Sequence, residues 1–242
     1  MSALTASGPP VLAVVGAVAA VAVYWLVMRH VARRDTPEIA LARAASHAAF
    51  GVVLGVVFIA VSMLALVTEF SFSSSTGNPV AIVASMAAVS FGAAVTEELL
   101  FRGLVLQALE KLFGSWVALA VTAVLFGAIH LANPGATVWS SFAIAVEAGV
   151  LLGAAFLWRR NLWLAIGVHF AWNTSEGLLG IPVSGHPAAG LLAARPTGPE
   201  LLTGGVFGIE ASIVSVVVSL LLAVPMLIAA RRRGNLVSMR QH

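Results

Sequence analysis

Thr96-Glu97-Glu98-Leu99-Leu100-Phe101-Arg102-Gly103 sets two adjacent carboxylates and a guanidinium inside an otherwise apolar run from Pro79 to Leu109. Ionisable groups at membrane depth are costly, and where they occur they face a bundle interior or a water-filled cavity. On a helix Glu98 and Arg102 are i and i+4 and pair along one face. Glu97 is turned by about 100° from Glu98 and has no intrahelical partner. The stretch therefore predicts a supporting Glu98–Arg102 pair and a chemically active Glu97.

The surrounding chain fits that setting. Of 242 residues, 60% are hydrophobic and 10% are charged, with a mean hydropathy of +1.01. Soluble domains carry about 25% charged residues. The apolar runs are continuous and not alternating, which predicts an all-α polytopic transmembrane bundle, not a barrel. The whole chain, 1–242, reads as one integral membrane domain. There is no cysteine, which excludes disulfides, thiolate metal ligands and a thiol nucleophile. The sequence pI is about 10.6, but the arginines gather at the ends of apolar runs. That is the pattern of bilayer orientation and anionic-lipid contact, so the bilayer is the expected partner and nucleic acid is not. No Lys or Arg precedes Arg29, so the first apolar run is expected to persist as a helix and not to be a cleaved leader.

Seven spans follow from the runs: Val11–Met28, Ala44–Val67, Pro79–Leu112, Ser115–Leu131, Ala136–Trp158, Leu162–Leu179 and Val206–Ala230. The N-terminal helices thus lie within 11–67, the motif-bearing core is about 79–181, and the C-terminal helix is 206–230. The third run would be roughly 50 Å long, against a hydrocarbon core of ~30 Å. It must tilt, protrude or break; Gly92 is the candidate break, and a division there would make eight spans. Basic residues lie at the ends of spans one, three, five and seven or in the loops after them, while the other loops hold only Arg195. The positive-inside rule then puts the N-terminus outside and the C-terminus in the cytoplasm of a multi-pass cell-membrane protein.

Three polar clusters fall within spans: Glu97, Glu98 and Arg102; Phe126 and His130; His169 and Asn173. Counted from the Phe113–Gly114 turn, Glu97 and His130 are level on antiparallel helices, each roughly 24 Å from the turn. His169 and Asn173 share a helix face roughly 13 and 19 Å beyond Arg160. The four residues can therefore meet inside the membrane. Two mechanisms use them. Glu97, His130 and His169 can ligate zinc with an open water position. Alternatively, Glu97 and His130 activate water while His169 and Asn173 donate to an oxyanion. Physics alone also allows a proton relay in a transporter, which uses the same residue types. Glu147, Glu176 and Glu210 have no evident partner, with Glu147 deep enough to neutralise Arg102 or a histidine. Phe126 by itself reads as a lipid- or core-facing aromatic.

Glu97-Glu98-x-x-x-Arg102, Phe126-x-x-x-His130 and His169-x-x-x-Asn173, in that order in a polytopic chain, resemble the CPBP family: the CAAX protease and bacteriocin-processing group, also called Abi, with its Rce1-type enzymes. The segment from Gly198 to Glu210 resembles a tail of bacterial members. The resemblance implies an intramembrane endopeptidase acting on a membrane-associated protein or a lipidated peptide. It implies Glu97 as the water-activating carboxylate with His130 beside it, His169 and Asn173 at the oxyanion, and Glu98 and Arg102 in support. Zinc and a metal-independent glutamate mechanism both remain open under it. A non-catalytic scaffold, an immunity factor or a transporter is the alternative from another class.

Overall fold

A computed structural model describes residues 10–239. Its long elements are α1 (Pro10–His30), α2 (Ala44–Leu66), α3 (Pro79–Glu98), α4 (Gln107–Ile129), α5 (Val138–Ile144), α6 (Gly153–Arg159) and α7 (Leu162–Leu178). Two short strands, β1 (Phe70–Ser74) and β2 (Leu192–Pro196), a one-turn α8 (Glu200–Thr203) and α9 (Ile213–Arg232) complete it. Two π-helical stretches, Leu99–Leu106 and Ala145–Leu152, join α3 to α4 and α5 to α6 without a loop. Five helical stretches are long and apolar enough to cross a membrane: Pro10–His30, Ala44–Glu69, Pro79–Ala132, Val138–Arg159 and Ile213–Arg232. The third has 54 residues and is interrupted at Gly114.

Local chemistry sets the helix ends. Asn78 accepts from the Val80 and Ala81 N–H groups, with Pro79 in the first turn, where its missing donor costs nothing. Gly114 stops the third rod with φ 77° and ψ 169°, a conformation open to a residue without Cβ. Asn161 caps α7 through Trp163 N–H, and Ser212 caps α9 through Val214 N–H.

Three expectations need correction. Gly92 does not break the third run. It is buried within α3, and a Cβ there would stand 3.1 Å from Ala13 of α1; it is a helix-crossing point. The departure from α geometry comes instead at Leu99–Leu106, directly after the two glutamates. The C-terminal helix begins at Ile213 and not at Val206, because Gly204, Gly205 and Gly208 take positive φ and fold residues 204–208 back over the bundle before Ser212 caps the helix. The bundle also carries a two-stranded antiparallel sheet, Phe70 opposite Pro196 through Ser74 opposite Leu192, where only loops were expected.

Small residues bring α7 into place. A Cβ on Gly167 would collide with the Ala48 carbonyl oxygen, and one on Gly51 would stand 2.9 Å from Val168 N. α2 and α7 therefore touch backbone to backbone, as membrane helices do where glycine removes the side chain between them. This contact fixes the height and rotation of the helix that carries His169 and Asn173. α1 is tied to the first π stretch by the Tyr24 hydroxyl, which donates to Gly103 O at 2.8 Å.

Candidate active site

Arg102 is the centre of the buried polar structure. Its Nη1 donates to Glu98 Oε1 at 2.8 Å, as the i,i+4 spacing predicts. Its Nη2 donates to the carbonyls of Ala148 (2.5 Å) and Gly149 (3.2 Å) in the second π stretch. A π turn displaces the regular i−4 pairing, and such turns recur at functional sites; here the two π stretches meet through one guanidinium. Glu147, one residue before Ala148, does not neutralise Arg102: both its oxygens are buried without a hydrogen-bond partner among the described residues. The carbonyls beside it satisfy the arginine instead.

Arg102 also lies over the Phe126 ring, 4.9 Å from its centroid. Phe126 is buried and stacks on His130 with 4.7 Å between centroids. The Phe126 carbonyl holds His130 Nδ1 at 2.7 Å. A carbonyl only accepts, so Nδ1 carries the hydrogen and the neutral ring keeps its lone pair on Nε2. Phe126 is thus the platform of the histidine one turn later.

Glu98 has a second role that its spacing did not reveal. Its Oε1 also stands 3.0 Å from His169 Nδ1, so one carboxylate oxygen serves the arginine and the histidine together. On the other side of that ring, His169 Nε2 is 3.9 Å from Glu97 Oε2. A water at about 2.8 Å from each can bridge a gap of that width from the side. Glu97 is about a quarter exposed, whereas Glu98 is fully buried.

A cavity of about 140 Å³ opens on this gap, lined by Glu97, His130, His169 and Asn173 among others. It has room for several waters. The structure therefore brings the four expected residues to one cavity and leaves Glu98 and Arg102 behind its wall. Glu97, His130 and His169 were also the expected zinc ligands. Among the described residues no three His, Asp or Glu side chains form a group that could hold a metal ion. Each histidine engages Nδ1 and keeps Nε2 free, which is how a zinc-ligating histidine is held, so the misfit lies in the spacing of the side chains. The donor set as it stands does not fit a closed zinc site.

The outer wall was missed from the sequence. The segment after α7 lines the same cavity with Ser184, His186 and Glu210. Ser184 has φ 49° and is held there by its neighbours. Its N–H and hydroxyl donate to Glu210 Oε2 at 2.5 and 2.8 Å, and Asn133 Nδ2 donates to its carbonyl at 2.9 Å. Burial drives the Glu210 carboxyl up to about 7, although Ser184's hydrogen bonds and His169 pull it down. Glu176, one turn beyond Trp172, accepts from that indole at 3.1 Å. The glycines just before Glu210 are the available signal, since Gly204, Gly205 and Gly208 take positive φ and put the carboxylate that follows them in a fixed turn and not in a span.

The family model for type II CAAX prenyl endopeptidase Rce1-like proteins matches residues 79–175, the stretch that holds Glu97, Glu98, Arg102, His130, His169 and Asn173. Residues 79–175 are similar to the Rce1-like family. No curated protein and no solved structure matches the chain. The Rce1-like segment ends before Ser184, His186 and Glu210, so the outer wall of the cavity is contributed by residues beyond it.

Proposed function

We propose that this Rce1-like membrane protein is an intramembrane endopeptidase of the CAAX type that hydrolyses a peptide bond in a membrane-associated protein or lipidated peptide. The observation that carries the reading is the gap between Glu97 Oε2 and His169 Nε2, 3.9 Å wide and open to the cavity.

In this reading a water in that gap gives a proton to Glu97 as its oxygen attacks the scissile carbonyl carbon. The Nε2 lone pair of His130 shares the work of the base. The carbonyl π pair moves onto oxygen, where Asn173 Nδ2 and His169 Nε2 donate to it. His169 donates from Nε2 only as imidazolium, with Glu98 taking its other N–H. The proton on Glu97 then passes to the departing amine, the oxyanion's electron pair re-forms the carbonyl as the C–N bond breaks, and the carboxylic acid gives its remaining proton to the amine, so that a carboxylate and an ammonium leave. Base catalysis of this kind contributes about 10²–10⁴-fold, and oxyanion donors act strongly where water is excluded. No step runs through zinc.

The cavity wall formed by Ser184 and His186 lies toward the end opposite Arg231, Arg232 and Arg233. With the positive-inside orientation, the cavity opens on the outer side of the cell membrane, with the N-terminus outside and the C-terminus in the cytoplasm. The reading is tested by comparing the membrane proteomes of cells making the wild type and Glu97→Ala. The expected result is a set of new protein termini that depends on Glu97; identical termini in both would contradict it.

A further inference from the structure

The basic end of the bundle holds an arrangement that the protease reading does not use. Arg159 Cζ lies 3.9 Å from the Trp158 ring centroid, and Arg233 Cζ lies 5.7 Å from the same centroid. Two guanidinium groups therefore share one indole. Neither forms an ion pair among the described residues, whereas adjacent Arg160 is held by Glu110 at 2.5 and 2.9 Å. Trp158 Nε1 and Arg159 Nε are buried with no hydrogen-bond partner. The C-terminal carbonyls of α6 and α9 account for cations at this end, but not for buried donors left without acceptors.

We infer that Trp158, Arg159 and Arg233 form a binding site for a phosphate group, presented by the headgroup of an anionic phospholipid. Two guanidinium groups without a carboxylate partner among the described residues meet at one indole, so the partner they fit is an anion rich in acceptor oxygens. Planar guanidinium forks suit phosphate. The surface beside the site favours a lipid as its carrier. Phe50 meets Trp158 edge to face, 6.1 Å between centroids. It begins an exposed apolar stripe on α2 that continues through Val53 and Val57, and neighbouring α9 exposes Val224 and Ile228. Acyl chains attached to the phosphate would lie along these faces, which a free phosphate would leave uncovered.

The test uses the full-length protein in neutral detergent, with phosphatidylglycerol, phosphatidylcholine of the same chains, or inorganic phosphate added. Retained lipid is read by native mass spectrometry, and protection by the melting temperature. The expected result is phosphatidylglycerol retention at least about tenfold stronger than phosphatidylcholine. Arg159→Gln with Arg233→Gln abolishes that preference, and Arg231→Gln with Arg232→Gln, of equal net charge, leaves it. Trp158→Phe keeps both charges and the ring but removes Nε1, and weakens retention several-fold even if the double variant does not fold. Equal losses in the two arginine pairs would show diffuse attraction only and overturn the site. Protection by inorganic phosphate matching that of the lipid would keep the phosphate site and overturn its lipid carrier.

Discussion

His169 Nδ1 lies 3.0 Å from Glu98 Oε1, the same oxygen that Arg102 holds at 2.8 Å. Glu98 therefore joins the buried arginine to the histidine of the cavity, and its loss has two consequences. Glu98→Gln leaves the Arg102 charge unneutralised, and breaking a buried pair costs about 3–5 kcal/mol. It also offers one acceptor oxygen without charge for two donors, so His169 loses its fixed orientation. Both melting temperature and peptide cleavage are expected to fall. Wild-type melting in detergent would show that the pair is not important to the fold.

Gly167→Ala tests the contact that positions α7. The added methyl meets the Ala48 carbonyl, and overpacking of this kind costs about 1–3 kcal/mol. His169 sits two residues further on, so the same shift opens its distance to Glu97. Reduced thermal stability together with reduced cleavage is the expected outcome; an unchanged protein would mean that α2 yields freely.

Glu210 gives the protein a pH dependence of defined sign. Its carboxyl is raised from 4.5 to about 7 by burial. Between those values the native state keeps a proton that the unfolded chain has released, so stability is greatest at the acidic side and falls as pH rises through about 7. The effect is on the order of 2–3 kcal/mol. Melting followed from pH 5 to pH 8 is expected to decline in the wild type and to be flatter in Glu210→Gln. A wild type that gains stability over that range would refute the assignment.

Orientation is open to direct labelling because the chain has no cysteine. Pro187→Cys, at the cavity mouth, is expected to react with an impermeant thiol reagent added to intact cells, and Arg232→Cys only after permeabilisation. The reverse pattern would invert the topology.

Much of this architecture was legible from residue types and spacing. The i,i+4 pairs, the stop at Gly114 and the equal distances of Glu97 and His130 from that turn all follow from one rise and one rotation per residue. The Glu98–His169 contact does not, because it depends on how α3 and α7, carrying residues 71 apart, are rotated against each other, and the glycines 51 and 167 that seat α7 on α2 fix only the α7 side of it. Hydrophobicity carries no signal for a π turn, so Leu99–Leu106 read as continuous helix. The alternation Phe70-Ser71-Phe72-Ser73 is a strand signal, but its partner lies at residues 192–196, across about half of the chain. By hydropathy Val206–Ala230 reads as one span, because the apolar residues around Glu210 outweigh the glycines before it.

The central claim is that Glu97 activates water in the gap beside His169. Glu97→Gln retains volume and leaves the buried Glu98–Arg102 pair intact, so the purified variant should melt within a few degrees of the wild type. It loses the proton acceptor, and cleavage of a substrate identified from the proteome comparison should fall by about 10²–10⁴-fold. Cleavage by a well-folded Glu97→Gln protein at the wild-type rate would contradict the account.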